Sequence, residues 1–217
     1  MYYVVVALVR VAMHIWFNLK FEGRENIPKG QAFVYASNHR SYADPVLVTL
    51  AGRGRFSFMA KSELFRNKAF GWLIRALGAF PVERGSGDTA AIDKAIDNVR
   101  GGTNLLIFPE GTRSKDGRVG RGKTGVALIA SKAKADVIPV GISFEGKLHF
   151  RSRIIVRVGK PIPAGTLAVE EGLSDRELLR TFKKNILPPI MDGIRTLVDE
   201  PAVLPVNEES KEESRHG

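Results

Sequence analysis

The chain has 217 residues, 44% of them hydrophobic, enough for one domain with a real core. It has no cysteine, which excludes disulfides, thiolate metal sites and a cysteine nucleophile, and its histidines, 14, 39, 149 and 216, nowhere stand at metal-ligand spacing. Lys and Arg number 33 against 23 acids, a net charge of +10. Such a body should attract nucleic acid, an acidic protein, phosphorylated metabolites or an anionic membrane face.

The first expected element is an apolar helix over residues 2–17, interrupted only by Arg10 and His14. At about 1.5 Å per residue it reaches roughly 24 Å, short of a bilayer core of ~30 Å. Arg10, His14 and Asn18 follow at i, i+4 and i+8, which predicts one polar stripe on an otherwise apolar amphipathic helix lying in a membrane interface. Trp16, Phe17 and Lys20 suit an interfacial edge. The other account of the same residues is a helix packed on the protein's own core. A removable signal peptide fits less well, because no basic segment precedes the run and no small-residue cleavage pattern follows it.

β-like runs follow at 31–37, 56–60, 79–82, 104–108, 137–144 and 153–159, with helical periods between them. Residues 62–78 read as an amphipathic helix, and a helix from about Asp88 to Gly101 places Ala91, Ile92, Ala95, Ile96 and Val99 on one face. Another covers 123–135. Ser174 and Glu177 form a capping-box pattern, and Pro188-Pro189 should break or kink the helix that it starts before the helical period resumes. The alternation predicts a single-domain α/β sandwich with a mixed, largely parallel central sheet flanked by helices. The expected organisation is a membrane-associated helix over 1–20, a catalytic domain over 21–199 and a disordered acidic tail over 200–217 with five Glu against Lys211 and Arg215.

The chemistry starts in "SNHRSYADP", residues 37–45, where a strand runs into a loop. Asp44 can be a helix N-cap with Pro45 in the first helical position. It can also orient His39: on a helix the two would sit about 140° apart, so only a turn brings them together, fixing the tautomer and leaving one nitrogen as a general base. Ser37 and Ser41 lie nearby, but neither stands in the Gly-x-Ser-x-Gly elbow of an acyl-enzyme hydrolase. Downstream, "NLLIFPEGTRSKDGRVGRGKTG" takes a buried strand into Pro109, Glu110, Gly111, Thr112 and Arg113. Gly111 permits a sharp turn, Arg113 can hold a phosphate, and Glu110 can accept from a hydroxyl or hold the arginine. Five bases against one acid follow from Arg113 to Lys123. No nucleic-acid-binding motif occurs, so nucleic acid is not an expected partner.

Taken in order, "NHRSYAD", "GAFPVER", "FPEGTRS" and "VIPVGI" resemble the four blocks of the glycerolipid acyltransferases, with "MAKSELF" between the first two. The similarity runs from about Phe21 to about Pro161, and the chain looks like the bacterial 1-acyl-sn-glycerol-3-phosphate acyltransferases. It implies that His39 deprotonates the 2-hydroxyl of lysophosphatidate, that Asp44 orients His39, and that the alkoxide attacks an acyl thioester directly to give phosphatidic acid. It further implies that Asn38, Lys61, Gly78, Arg84, Glu110, Gly111, Thr112 and Arg113 bind substrate and that Pro139 shapes the acyl pocket. No metal and no cofactor are expected beyond the co-substrate, acyl-CoA or acyl-acyl carrier protein. The implied partners are an anionic membrane surface and lysophosphatidate, at the cytoplasmic face of the cell membrane. Pro81 stands where the family often has an aromatic and Glu83 where it often has aspartate, departures that bear on acceptor choice. Another lysophospholipid or a lyso-aminolipid is the alternative acceptor, and a basic membrane-binding module without catalysis the alternative class.

Overall fold

Short runs of β-branched and aromatic residues pair into one seven-stranded sheet among the described residues. The strands are β1 (Asn18–Glu22), β2 (Val34–Ser37), β3 (Phe56–Lys61), β4 (Ala79–Val82), β5 (Asn104–Ile107), β6 (Val137–Ser143) and β7 (Arg153–Val158). Across the sheet they stand in the order β1-β7-β6-β2-β5-β3-β4. The last five of that order are mutually parallel; β7 returns antiparallel to β6, and β1 is parallel to β7. The computed structural model describes residues 1–83, 89–114, 116–170 and 172–199. The expected acidic tail and Arg84 lie outside them.

Alternation along the strands divides the core into two layers. Tyr35 and Ile138 point to one face, where they pack with Val5 of α1 (Tyr2–Trp16), Leu47 and Val48 of α2 (Asp44–Ala51) and Ile74 of α3 (Lys68–Ala76). Val34, Ala36 and Val137 point to the other. There they meet Ala95 and Ile96 of α4 (Thr89–Arg100), Val126 and Ile129 of α5 (Gly125–Ala133), and Ile190 and Ile194 of α7 (Leu187–Asp199). Because β2 and β5 are adjacent and parallel, the loops leaving their carboxyl ends emerge side by side. Those loops carry His39 and Glu110.

Several expectations change. Asn18 is not the end of a helical stripe: residues 18–22 form edge strand β1, with Leu19 opposite Ile154, so the boundary expected after residue 20 falls inside a strand. Arg10 is half-buried and donates to the Leu50 carbonyl at 3.1 Å, satisfying a carbonyl near the C-terminal end of α2. The helix does dock on the core, through buried Val5 and partly buried Val6, Val9 and Met13. On its far side Val4, Leu8, Val11 and Ile15 are mostly exposed, one apolar stripe at helical spacing. Among the described residues no helix is long and apolar enough to cross a membrane.

Residues 62–78 divide into a 3-10 turn (Ser62–Phe65) and α3, because the Asn67 side chain accepts from the Phe70 N–H and starts a new helix there. The capping box forms at α6 (Asp175–Thr181). Pro188-Pro189 does not end the helical run: a π turn (Phe182–Ile186) just before the pair joins α6 to α7, and both prolines fall in the first turn of α7, where proline is tolerated. Gly78 has φ of 97°, and a Cβ there would stand 2.0 Å from the Phe56 carbonyl oxygen. It therefore lets β4 begin against the start of β3, at the opposite end of the sheet from His39.

Candidate active site

β2 ends in two buried polar residues, Ser37 and Asn38. The Asn38 amide closes a two-point clasp on β6: its oxygen accepts from the Ile142 N–H at 2.8 Å and its nitrogen donates to the Ile142 carbonyl at 2.9 Å. Asn38 thus anchors the strand end, which leaves it engaged with backbone rather than turned toward a substrate. The chain then makes a tight turn over 39–43. Asp44 is not the N-cap of α2; Ala43 is, and Asp44 lies inside the first turn with its carboxylate directed back along the chain. It accepts from the Ser41 N–H at 2.7 Å, from the Arg40 N–H and from the Ser41 hydroxyl. His39 Nδ1 stands 2.7 Å from Asp44 Oδ2. A carboxylate only accepts, so Nδ1 carries the proton and Nε2 keeps its lone pair. Asp44 is fully buried, whereas the His39 side chain remains 16% exposed.

The loop after β5 closes the other side. Phe108 stacks on the His39 ring, centroids 4.1 Å apart and planes 17° from parallel. The buried Glu110 accepts the His39 N–H at 3.0 Å through one oxygen and the Gly120 N–H at 2.9 Å through the other. The His39 carbonyl accepts from the Ser114 N–H at 2.7 Å. Glu110 is therefore a tie between two loops, each oxygen already holding one backbone donor. Gly111 sits at φ of 70° with the Lys123 chain over it; a Cβ would stand 2.9 Å from Nζ. Thr112 and Arg113 are exposed. The Arg113 guanidinium lies 3.7 Å from the Tyr42 ring centroid and donates to the Tyr42 hydroxyl at 3.1 Å.

An open cleft of about 450 Å³ borders this turn, lined by Arg40, Tyr42, Arg113, Ser114, Phe144 and Lys147 among others. Burial holds the Arg40 guanidinium below its ordinary pKa, partly opposed by the charge of Asp44. Of the remaining expected residues, Lys61 is exposed at the carboxyl end of β3, the same end as His39. Gly78 is at the far end and cannot keep backbone close to a substrate there. Pro139 lies within β6 on the face covered by α7, against Gly159 and Gly193, whereas the His39 loop feeds α2 on the opposite face. Its expected place in an acyl-pocket wall is replaced by one in the core. Sequence reasoning missed Phe108, because an apolar residue at a strand's end reads as core, and missed Arg40 and Tyr42, which lay unassigned inside the quoted turn.

Residues 18–143 match the Acyltransferase family, and the chain belongs to that family. Within it, the chain is 34% identical over 152 residues to a 1-acyl-sn-glycerol-3-phosphate acyltransferase of Streptococcus pneumoniae, an alignment covering 67% of this chain and 56% of the relative. It is 32% identical over 139 residues to a lyso-ornithine lipid O-acyltransferase of Pseudomonas aeruginosa, covering 63% and 52%. The crystal structure of the 1-acyl-sn-glycerophosphate (LPA) acyltransferase PlsC from Thermotoga maritima superposes with a TM-score of 0.61 at 26% identity, covering 88% of this chain and 79% of that one. The chain spans about half the length of the curated relatives it matches first.

The Asn38 clasp makes a stability claim distinct from a binding one. Asn38→Ala leaves the Ile142 N–H and carbonyl buried without partners, and the expected loss is about 2 kcal/mol or more in urea unfolding. An unchanged midpoint would show that the clasp contributes nothing.

Proposed function

We propose that the protein transfers a fatty acyl group from an acyl thioester, acyl-CoA or acyl-acyl carrier protein, to the 2-hydroxyl of 1-acyl-glycerol-3-phosphate, giving phosphatidic acid. The observation that carries the reading is the His39–Asp44 contact, with its protonated Nδ1 on the carboxylate and its unprotonated Nε2 free to receive a proton. Nε2 takes the hydroxyl proton as the oxygen attacks the thioester carbonyl. The tetrahedral intermediate then collapses, the C–S bond breaks, and the imidazolium returns its proton to the departing thiolate. No covalent acyl-enzyme is needed. Neither nearby serine is aligned for one: Ser37 is fully buried and donates to the Asn38 carbonyl, and the Ser41 hydroxyl donates to Asp44.

Asp44 holds the tautomer, Phe108 and Glu110 fix the ring and its backbone, and Arg113 supplies charge for the acceptor's phosphate. Lys61, Gly111 and Thr112 stand at the same end of the sheet and complete the substrate region. Both acceptor and product are lipids, and the exposed stripe Val4, Leu8, Val11 and Ile15 gives the protein a face for the membrane interface. The basic composition favours anionic lipids, at the cytoplasmic face of the membrane. A second reading, the same chemistry on a lyso-aminolipid, is supported by the lyso-ornithine lipid relative and by the Pro81 and Glu83 departures.

With labelled acyl thioester and lysophosphatidate, His39→Ala should lower turnover by about 10²–10⁴-fold, while Ser41→Ala retains most of it. Equal activity of wild type and His39→Ala would remove His39 from the mechanism, and abolition by Ser41→Ala would favour a serine nucleophile. For the membrane face, Leu8→Asp combined with Val11→Asp should reduce co-flotation with phosphatidylglycerol vesicles at least about tenfold without changing the circular dichroism spectrum. Undiminished flotation would exclude this stripe as the contact.

A further inference from the structure

Three cationic side chains and no carboxylate line the cleft beside the His39 turn, with the exposed Glu145 nearby on the β6–β7 loop. Arg40, Arg113 and Lys147 all line it, and none of them forms an ion pair among the described residues. Asp44 acts on Arg40 only through its charge, since its oxygens are engaged by His39, Ser41 and the Arg40 amide. Asp116, the acid on the same loop as Arg113, is turned to the Ser114 hydroxyl and the Arg118 N–H.

Two of the three cations are held in place before any ligand arrives. The Arg40 guanidinium donates to the Phe144 carbonyl, lies 3.9 Å from the Phe144 ring centroid, and packs under Gly117, where a Cβ would stand 2.9 Å from Nη2. Arg113 is fixed against Tyr42 in the same manner. Most of their N–H donors stay unused, so an anion in the cleft meets preorganised charge with little entropy left to lose. Lys147, exposed on the loop between β6 and β7 that also carries Phe144, adds a third charge to the lining.

That loop also indicates which anion belongs there. From Lys147 it continues through Leu148, which lines the cleft, to the exposed Phe150, whose ring meets Trp16 at the end of α1 edge to face, centroids 5.5 Å apart. One loop thus spans from the charged cleft to the apolar end of the first helix, an arrangement suited to a molecule with a phosphate at one end and an acyl chain at the other. We infer that Arg40 and Lys147, together with Arg113, form the pocket for the acceptor's phosphomonoester, with Lys147 selecting a doubly charged headgroup over neutral or zwitterionic ones. Only Arg113 was implied by the sequence blocks. The inference rests on the reading of the protein as a lysophosphatidate acyltransferase.

The test is steady-state kinetics of the full chain carrying Lys147→Ala, Lys147→Glu or Lys147→Arg, varying lysophosphatidate and acyl thioester separately, with 1-acylglycerol as an acceptor lacking phosphate. Lys147→Glu should raise KM for lysophosphatidate about tenfold or more and Lys147→Ala several-fold, while kcat and the thioester KM stay within about twofold. Lys147→Arg should restore most of the affinity, and the ratio of 1-acylglycerol to lysophosphatidate acylation should rise in Lys147→Glu. A rise in the thioester KM instead would assign the cleft to the donor's phosphates and overturn the inference, as would unchanged constants for both substrates. Wild type inactive on lysophosphatidate would sink the underlying reading as well, whereas an active wild type with indifferent variants would sink only this inference.

Discussion

The buried carboxylate of Asp44 is the constraint on which the site depends. Placing an ionised group out of water costs several kcal/mol unless donors replace its hydration. Here four do: two backbone amides, one hydroxyl and one imidazole N–H, all from His39, Arg40 and Ser41. The dependence is mutual, because the same carboxylate gives those turn amides their acceptor. The turn, the charge and the imidazole tautomer are one structure, and the histidine's free nitrogen is its exposed product.

A second buried carboxylate extends that structure across the sheet. Glu110 joins the backbone of His39 to that of Gly120, and Ser114 returns a hydrogen bond to the His39 carbonyl. The loops after β2 and β5 are thereby bound to each other at the point where adjacent parallel strands release them. Phe108 then supplies a flat apolar surface under the imidazole. Rigidity of this kind is what the proposed proton transfer requires, since a base must be held within hydrogen-bond reach of the hydroxyl it serves. Arg113 on Tyr42 and Lys147 on its own loop are the exposed cations around it.

The fold was legible where periodicity was clean. The apolar runs at 56–60, 104–108 and 137–144 became β3, β5 and β6, and the capping box at Ser174 formed as its spacing indicates. β1 was not legible, because "NLKFE" follows an apolar helix with no glycine or proline between them, and its alternation is too short to outweigh the helical period. The proline pair marked an irregularity, but that the chain stays helical through a π turn is not encoded by any local pattern. In the site, the five-residue spacing of His39 and Asp44 argued for a turn, which the structure contains. The motif could not distinguish residues that meet a substrate from residues that build the fold. Asn38, Gly78 and Pro139 belong to the second kind, since their partners Ile142, Phe56 and Gly193 lie far away in sequence.

The central claim is that Asp44 fixes His39 with its proton on Nδ1 and its lone pair on Nε2. Nitrogen-15 NMR of the neutral imidazole in wild type and Asp44→Asn measures this directly. The expected result is a protonated Nδ1 and a bare Nε2 in wild type, with that preference lost in the variant. A wild-type spectrum with the proton on Nε2, or a tautomer indifferent to Asp44, would contradict the account.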